Sequence, residues 1–64
     1  MRVVKSRAKK AFEYLEEYEH FRIFMPHNRA IAFLAGAYEV KKETFERNLA
    51  YARELQKEGL TEWL

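Results

Sequence analysis

Apolar residues recur at helical spacing in three segments of the chain, most clearly in the third. There they repeat at i, i+4, i+7 and i+10, as Phe45, Leu49, Ala52 and Leu55. This spacing places them along one face of an α-helix. Thr44 is a candidate N-cap, and Gly59 follows the last turn, where a glycine commonly ends a helix. The pattern predicts an amphipathic helix that stops just before Gly59.

The first segment predicts a second amphipathic helix, with Ser6 as its N-cap and an end near Tyr18 to His20. Its inner face would carry Ala8, Ala11, Phe12, Leu15 and either Tyr18 or Glu19.

The middle segment is apolar on nearly every side between Arg29 and Tyr38, with Asn28 as a candidate N-cap. A helix without a polar face belongs in the interior, so we expect this one to be the most buried of the three. Gly36 would let another backbone approach it closely.

Between the first two helices, apolar and polar residues alternate from His20 to Met25, which predicts an extended connector that ends at Pro26. The expected fold class is therefore all-α, with three short helices in a mini-domain at residues 1–58. Because 64 residues bury a marginal core, a second expectation is that the chain completes its folding on a partner.

Residues 57–64 end in an unusual set of large apolar side chains. Leu60, Trp63 and Leu64 stand at i, i+3 and i+4, which one helical turn gathers on one side. Gly59 can take positive φ and turn this group away from the preceding helix. Such residues at a chain end must pack on a partner or on their own domain, so Trp63 folding back onto the core is the alternative.

This ending resembles the PCNA-interacting peptide, by which replication and repair proteins bind the PCNA sliding clamp. The family pattern is a Gln, two variable residues, an aliphatic residue, two more variable residues and two large apolar residues. Leu60 matches the aliphatic position and Trp63 and Leu64 match the final pair, whereas Lys57 replaces the Gln. Gly59 and Thr61 complete a likeness to the clamp-binding tails of archaeal family B DNA polymerases.

The chain is also similar to small archaeal PCNA inhibitors, which have about this length and an imperfect clamp-binding motif. The resemblance implies that residues 57–64 block the groove used by clamp partners and thereby inhibit DNA replication. Leu60, Trp63 and Leu64 would be the anchors, with Gly59 and Thr61 shaping the turn. Since the third helix leads into this peptide, we also expect its Phe45 to Leu55 face to lie beside the clamp.

Composition adds three expectations. The 12 basic and 10 acidic residues give a net charge of +2, and all ten acidic residues are Glu, which is typical of thermophile proteins. The absence of Cys excludes disulfides and, with no signal peptide or membrane span in the pattern, favours a cytoplasmic location. Five basic residues precede the first acid, as an arm that contacts solvent or an acidic or phosphate partner: Arg2, Lys5, Arg7, Lys9 and Lys10.

A helix-turn-helix regulator that binds nucleic acid is the principal alternative, and an adaptor for another protein is a third. Helices two and three would form the motif, but the link between them is expected to be about three residues too long. Carboxylates on the third helix would also repel phosphates, at Glu43, Glu46 and Glu54.

Catalytic and metal sites are not expected. His20 and His27 are seven residues apart, which is not the His-x3-His spacing of a helical metal site, so we expect connector histidines rather than metal ligands with Glu17 or Glu19. The sequence has no Asp or Cys, its only Ser is the candidate cap Ser6, and it has no Gly-rich phosphate loop. We therefore expect a non-enzyme without a cofactor.

Overall fold

A computed structural model describes residues 4–60 and shows three α-helices in this range. They are α1 (Lys5–Phe21), α2 (His27–Ala37) and α3 (Lys42–Lys57). No strand occurs within the described range, and the all-α prediction is confirmed. None of these helices is long and apolar enough to cross a membrane.

All three helices begin earlier than their predicted caps. Ser6, Asn28 and Thr44 lie inside the first turns, so these cap predictions are wrong. The residues at the N-cap positions have extended backbones and make no side-chain cap hydrogen bond: Val4, Pro26 and Lys41. Their carbonyl oxygens instead accept the first helical hydrogen bonds, at 2.9, 3.0 and 3.0 Å. Backbone bonding and packing therefore outweigh the preference for a polar cap.

The connector between α1 and α2 is a turn, and the prediction of an extended segment is wrong. The backbone N–H groups of Phe24 and Met25 both donate to the Phe21 carbonyl oxygen, at 3.2 and 2.9 Å. The Arg22 guanidinium donates to the Met25 carbonyl oxygen at 2.8 Å. The apolar residues of this segment alternate without a partner strand, and the backbone groups are satisfied locally instead.

The core lies between the inner faces of the three helices, and α1 contributes the most buried residues. They are Ala8, Ala11, Phe12, Tyr14, Leu15 and Tyr18 from α1, Ala30, Ile31, Leu34 and Ala35 from α2, and Phe45, Leu49, Ala52 and Leu55 from α3. The Tyr14 ring stacks on Phe45 with centroids 4.8 Å apart, and it meets the Tyr38 ring at 4.5 Å. Burial raises the pKa of the Tyr38 phenol, and the charges of Glu17 and Glu13 raise it further.

The prediction that α2 is the most buried helix is met only in part. Four of the 11 residues of α2 are buried, much the same share as six of 17 in α1 and a larger share than four of 16 in α3, but one face of α2 is open to solvent. Its outer face is exposed and includes Phe33, which is 50% exposed. Gly36 also lies on this face, and no heavy atom lies within 4 Å of the position its Cβ would occupy. The expected close approach of another backbone at Gly36 is therefore absent from the part of the chain described.

Candidate protein-binding site

The C-terminal end of α3 is closed by a Schellman motif built around Gly59. The Gly59 N–H donates to the Gln56 carbonyl oxygen at 3.0 Å, and the Leu60 N–H donates to the Leu55 carbonyl oxygen at 2.8 Å. Gly59 has a φ of 76°, in the left-handed region that L-residues rarely adopt. The prediction that Gly59 takes positive φ and ends the helix is confirmed.

Leu60, the predicted aliphatic anchor, is half-buried and packs against the core of the helical body. This contact follows from the cap, because a Schellman motif commonly brings the residue after the left-handed position onto the helix it ends. Burying a whole Leu side chain contributes about 1.5 to 3 kcal/mol, so releasing half-buried Leu60 costs roughly 1 kcal/mol. Leu60 can enter a partner's groove only at this cost.

Lys57, the first position of the predicted motif, is the last residue of α3 and is exposed. Its charge lies at the negative end of the helix dipole, where a cation contributes about 0.3 to 1 kcal/mol of stability. Lys57 therefore has a structural role that a Gln at the same position would not fill.

The structure brings Lys57, Gly59 and Leu60 together at one end of α3. Thr61, Trp63 and Leu64 lie outside the described residues, as does Arg2 at the other end of the chain.

The inner face of α3 cannot contact the clamp while the body is folded. Phe45, Ala52 and Leu55 are 0% exposed, and Leu49 is 2% exposed, because all four pack against the other helices. The expectation that this face lies beside the clamp is therefore wrong. The same periodicity that predicts the helix also explains the error, since an amphipathic face packs first on its own domain.

A second surface, which the sequence pattern did not indicate, surrounds the turn between α1 and α2. Its members are His20, Phe21, Ile23, Phe24 and Phe33, named here the aromatic patch. Ile23 is 80% exposed, Phe24 is 61% exposed and Phe33 is 50% exposed. The alternation from His20 to Met25 predicts an extended connector, and the apolar character of the second helix predicts that Phe33 is buried, so neither pattern indicates this surface. The absence of acidic residues from 20 to 38 is the signal that could have identified this surface.

The structure removes one objection to the helix-turn-helix alternative. The link between α2 and α3 covers only residues 38–41, because α3 begins before Thr44. This length suits a helix-turn-helix motif, so the objection that the link is too long is wrong. Glu43, Glu46 and Glu54 are nevertheless exposed along α3, where they would face the phosphates of a bound duplex.

The basic arm is mostly the first turns of α1. Lys5, Lys9 and Lys10 are exposed on this helix. The guanidinium carbon of Arg7 lies 4.2 Å from the centre of the Tyr51 ring, in a cation–π contact between α1 and α3. Part of the charge of the basic arm is thus used within the fold.

His27 is linked to α1 by a hydrogen bond of 2.7 Å between its Nδ1 atom and the Tyr18 hydroxyl. Between residues 4 and 60, no group of three or more His, Cys, Asp or Glu side chains is arranged to hold a metal ion.

No protein-family model matches the chain, and neither a curated protein nor a solved structure is significantly similar to it.

Proposed function

We propose that residues 57–64 bind the PCNA sliding clamp and that the protein inhibits clamp-dependent DNA replication by occupying the groove that other partners use. The observation that carries the proposal is the cap at Gly59. It ends α3 where the clamp-binding pattern begins, and it places the aliphatic residue Leu60 directly after the turn.

The cap supports this proposal because it attaches the motif to a rigid element. Leu60 follows α3 without an intervening linker, so a bound tail holds the helical body against the rim of the groove. A helical body at the rim of the groove hinders larger partners from binding there, even when the tail alone binds weakly. The role requires no chemistry, and we propose that the protein is not an enzyme.

The energetic balance also suits a reversible inhibitor. Releasing the Leu60 side chain from the core costs roughly 1 kcal/mol. A buried aromatic anchor such as Trp63 commonly contributes about 2 kcal/mol or more to binding. Docking of Trp63 and Leu64 would more than offset the release of Leu60.

The experiment is a pull-down of clamp from archaeal extract, followed by clamp-stimulated primer extension with purified components. We expect the intact protein to capture the clamp and to inhibit extension, and the protein truncated after Glu58 to do neither. Lys9→Ala, on the exposed side of α1, is the matched control and should behave as the parent. Capture of the clamp by the truncated protein would contradict the proposal.

A second candidate function is nucleic-acid binding through a helix-turn-helix, and the short link at residues 38–41 favours it. The salt dependence of binding distinguishes the two candidate functions. Binding to phosphates weakens steeply as salt rises, whereas binding through apolar anchors changes little. We expect clamp binding to survive a rise in salt that removes any binding to duplex DNA.

A further inference from the structure

The aromatic patch is held together by direct ring contacts. The ring centroids of Phe21 and Phe33 are 5.0 Å apart, and those of Phe21 and Phe24 are 5.4 Å apart. His20 meets the Phe24 ring edge-on at 6.0 Å. Phe21 is half-buried and packs against the core, so it anchors the more exposed side chains around it. The rings of the patch therefore form one cluster that joins α1, the turn and α2.

The turn itself is braced. The Arg22 guanidinium donates to the Met25 carbonyl oxygen at 2.8 Å, which ties its charge to the turn that carries Ile23 and Phe24. Arg29 lies one helical turn before Phe33 on the exposed side of α2. Arg22 and Arg29 are thus close in sequence to the exposed apolar residues of the patch.

Acidic residues flank the stretch that carries these charges, as Glu19 and Glu39, but none lies within it. The stretch from His20 to Tyr38 contains Arg22 and Arg29 but no Asp or Glu, although the chain has ten Glu in all. Aromatic residues and Arg are the types that most often carry binding energy at protein interfaces. The surface combines these two types and excludes acidic ones.

We propose that the aromatic patch is a docking surface for a protein segment that presents apolar side chains flanked by Asp or Glu. The apolar residues would cover Ile23, Phe24 and Phe33, and the carboxylates would pair with Arg22 and Arg29. This surface shares no residue with the segment 57–64, and its partner need not be the clamp.

Charge decides against a second copy of the chain as the occupant. A two-fold contact would bring Arg22 and Arg29 of both copies to the same rim, with no carboxylate from this stretch to neutralise them. An acidic segment meets complementary charge at the same positions.

Two other occupants fit less well. Anionic membranes are typically bound by clusters of four to eight basic residues, and this surface has Arg22 and Arg29. Single-stranded nucleic acid stacks its bases on open aromatic faces, whereas the rings here meet one another edge-on or tilted. The most exposed member, Ile23, has no ring to offer a base.

The neighbouring part of α2 leaves room for a partner's backbone. Ala32 and Gly36 are exposed beside Phe33, and nothing lies within 4 Å of the position a Cβ on Gly36 would occupy. A helix or extended segment can lie close to α2 there while its larger side chains cover the rings.

The test uses the full chain carrying Trp63→Ala, so that the proposed clamp-binding tail plays no part. The probe is a synthetic amphipathic peptide with Leu and Phe on one face and Glu on the other, and its matched partner has Lys in place of every Glu. Binding is followed through the backbone amide NMR signals of the protein. We expect the Glu peptide to saturate and to shift the signals of Ile23, Phe24 and Phe33, with affinity about tenfold or more above that of the Lys peptide.

The double variant Arg22→Glu with Arg29→Glu should weaken binding of the Glu peptide by about tenfold or more. The control variant, Lys42→Glu with Arg47→Glu on exposed positions of α3, makes the same change in net charge and should bind as the parent. Far-UV circular dichroism verifies that both variants are folded.

Four results would overturn the proposal. They are failure of the Glu peptide to bind, equal affinity for the Lys peptide, an unchanged affinity of the Arg22→Glu, Arg29→Glu variant, and tighter occupation of the patch by another ligand. The other ligands tested are single-stranded DNA, vesicles of anionic lipid and a second copy of the chain, the last by sedimentation over a range of protein concentrations.

Discussion

The ends of α2 and α3 have the same backbone geometry but different residues at the left-handed position. In α2, the Val40 N–H donates to the Ala35 carbonyl oxygen at 2.9 Å, and Glu39 has a φ of 58°. In α3, Leu60 and Gly59 occupy the equivalent positions. Val40 and Leu60 are both half-buried and both pack against the core.

The difference shows that the cap geometry does not depend on glycine. At the end of α2 the chain continues at once into α3, so packing on both sides holds Glu39 in a conformation that costs an L-residue about 1 to 2 kcal/mol. At the end of α3, Gly59 forms the same turn without that cost. Gly59 therefore stabilises the cap that places Leu60 directly after the end of α3.

The largest expected effect is on clamp binding by the segment that follows the cap at Gly59. Trp63→Ala should weaken clamp binding by about thirtyfold or more, because truncating a buried aromatic anchor commonly costs about 2 kcal/mol or more. Isothermal titration calorimetry with purified clamp measures the change, with Lys9→Ala as the control. Equal affinities of the two variants would contradict the assignment of residues 57–64 to the clamp.

The second prediction compares the residues that follow the left-handed positions. Val40→Ala and Leu60→Ala should each lower the free energy of unfolding by about 1 kcal/mol, because each removes a half-buried aliphatic side chain. Only Leu60→Ala should also weaken clamp binding. Urea denaturation gives the stability and calorimetry the affinity. A loss of affinity in Val40→Ala that matched the loss in Leu60→Ala would show that binding depends on the stability of the body.

The third prediction exchanges the residue types at the two caps. Gly59→Ala should destabilise the fold by about 1 kcal/mol, since the added Cβ disfavours positive φ. Glu39→Gly should stabilise it by about 0.5 kcal/mol, because the relief of strain exceeds the entropy cost of glycine in the unfolded chain. Thermal unfolding measures both changes. Gly36→Ala is the control for glycine removal inside a helix, and it should raise the melting temperature.

The features that the sequence predicted correctly are those that depend on neighbouring residues alone. The spacing of Phe45, Leu49 and Leu55 predicted α3, and Gly59 predicted its end, because periodicity and positive φ are local properties. The helix starts were missed because backbone hydrogen bonds, rather than Ser6 or Thr44 side chains, define them.

The exposed side of α2 and the aromatic patch were missed for a different reason. A helix that is apolar on every side carries no information on which face is buried. Only the packing of Ile31 and Leu34 against α1 and α3 leaves Phe33 outside. For the candidate site, the sequence placed Gly59 and Leu60 correctly at the end of α3 but did not predict that Leu60 packs on the core.

The smallest expected effect concerns Lys57, the last residue of α3 before the cap at Gly59. Lys57→Gln should bind the clamp at least as tightly as the parent, because Gln both donates and accepts hydrogen bonds and is less costly to desolvate than an ammonium group. The same change should lower stability by about 0.3 kcal/mol or more through the lost interaction with the helix dipole. A marked loss of affinity would show that Lys57 pairs with an acidic group of the partner.

The most direct test of clamp binding uses Trp63, the only Trp in the sequence. Incorporation of 5-fluorotryptophan places a single ¹⁹F label in the proposed motif. The unlabelled clamp adds no ¹⁹F signal of its own. We expect the ¹⁹F signal to shift on titration with clamp until the binding sites are filled, and the label to become less sensitive to solvent exchange from H₂O to D₂O as the indole is buried. A ¹⁹F signal and solvent sensitivity that remain unchanged at clamp concentrations that inhibit primer extension would contradict the account.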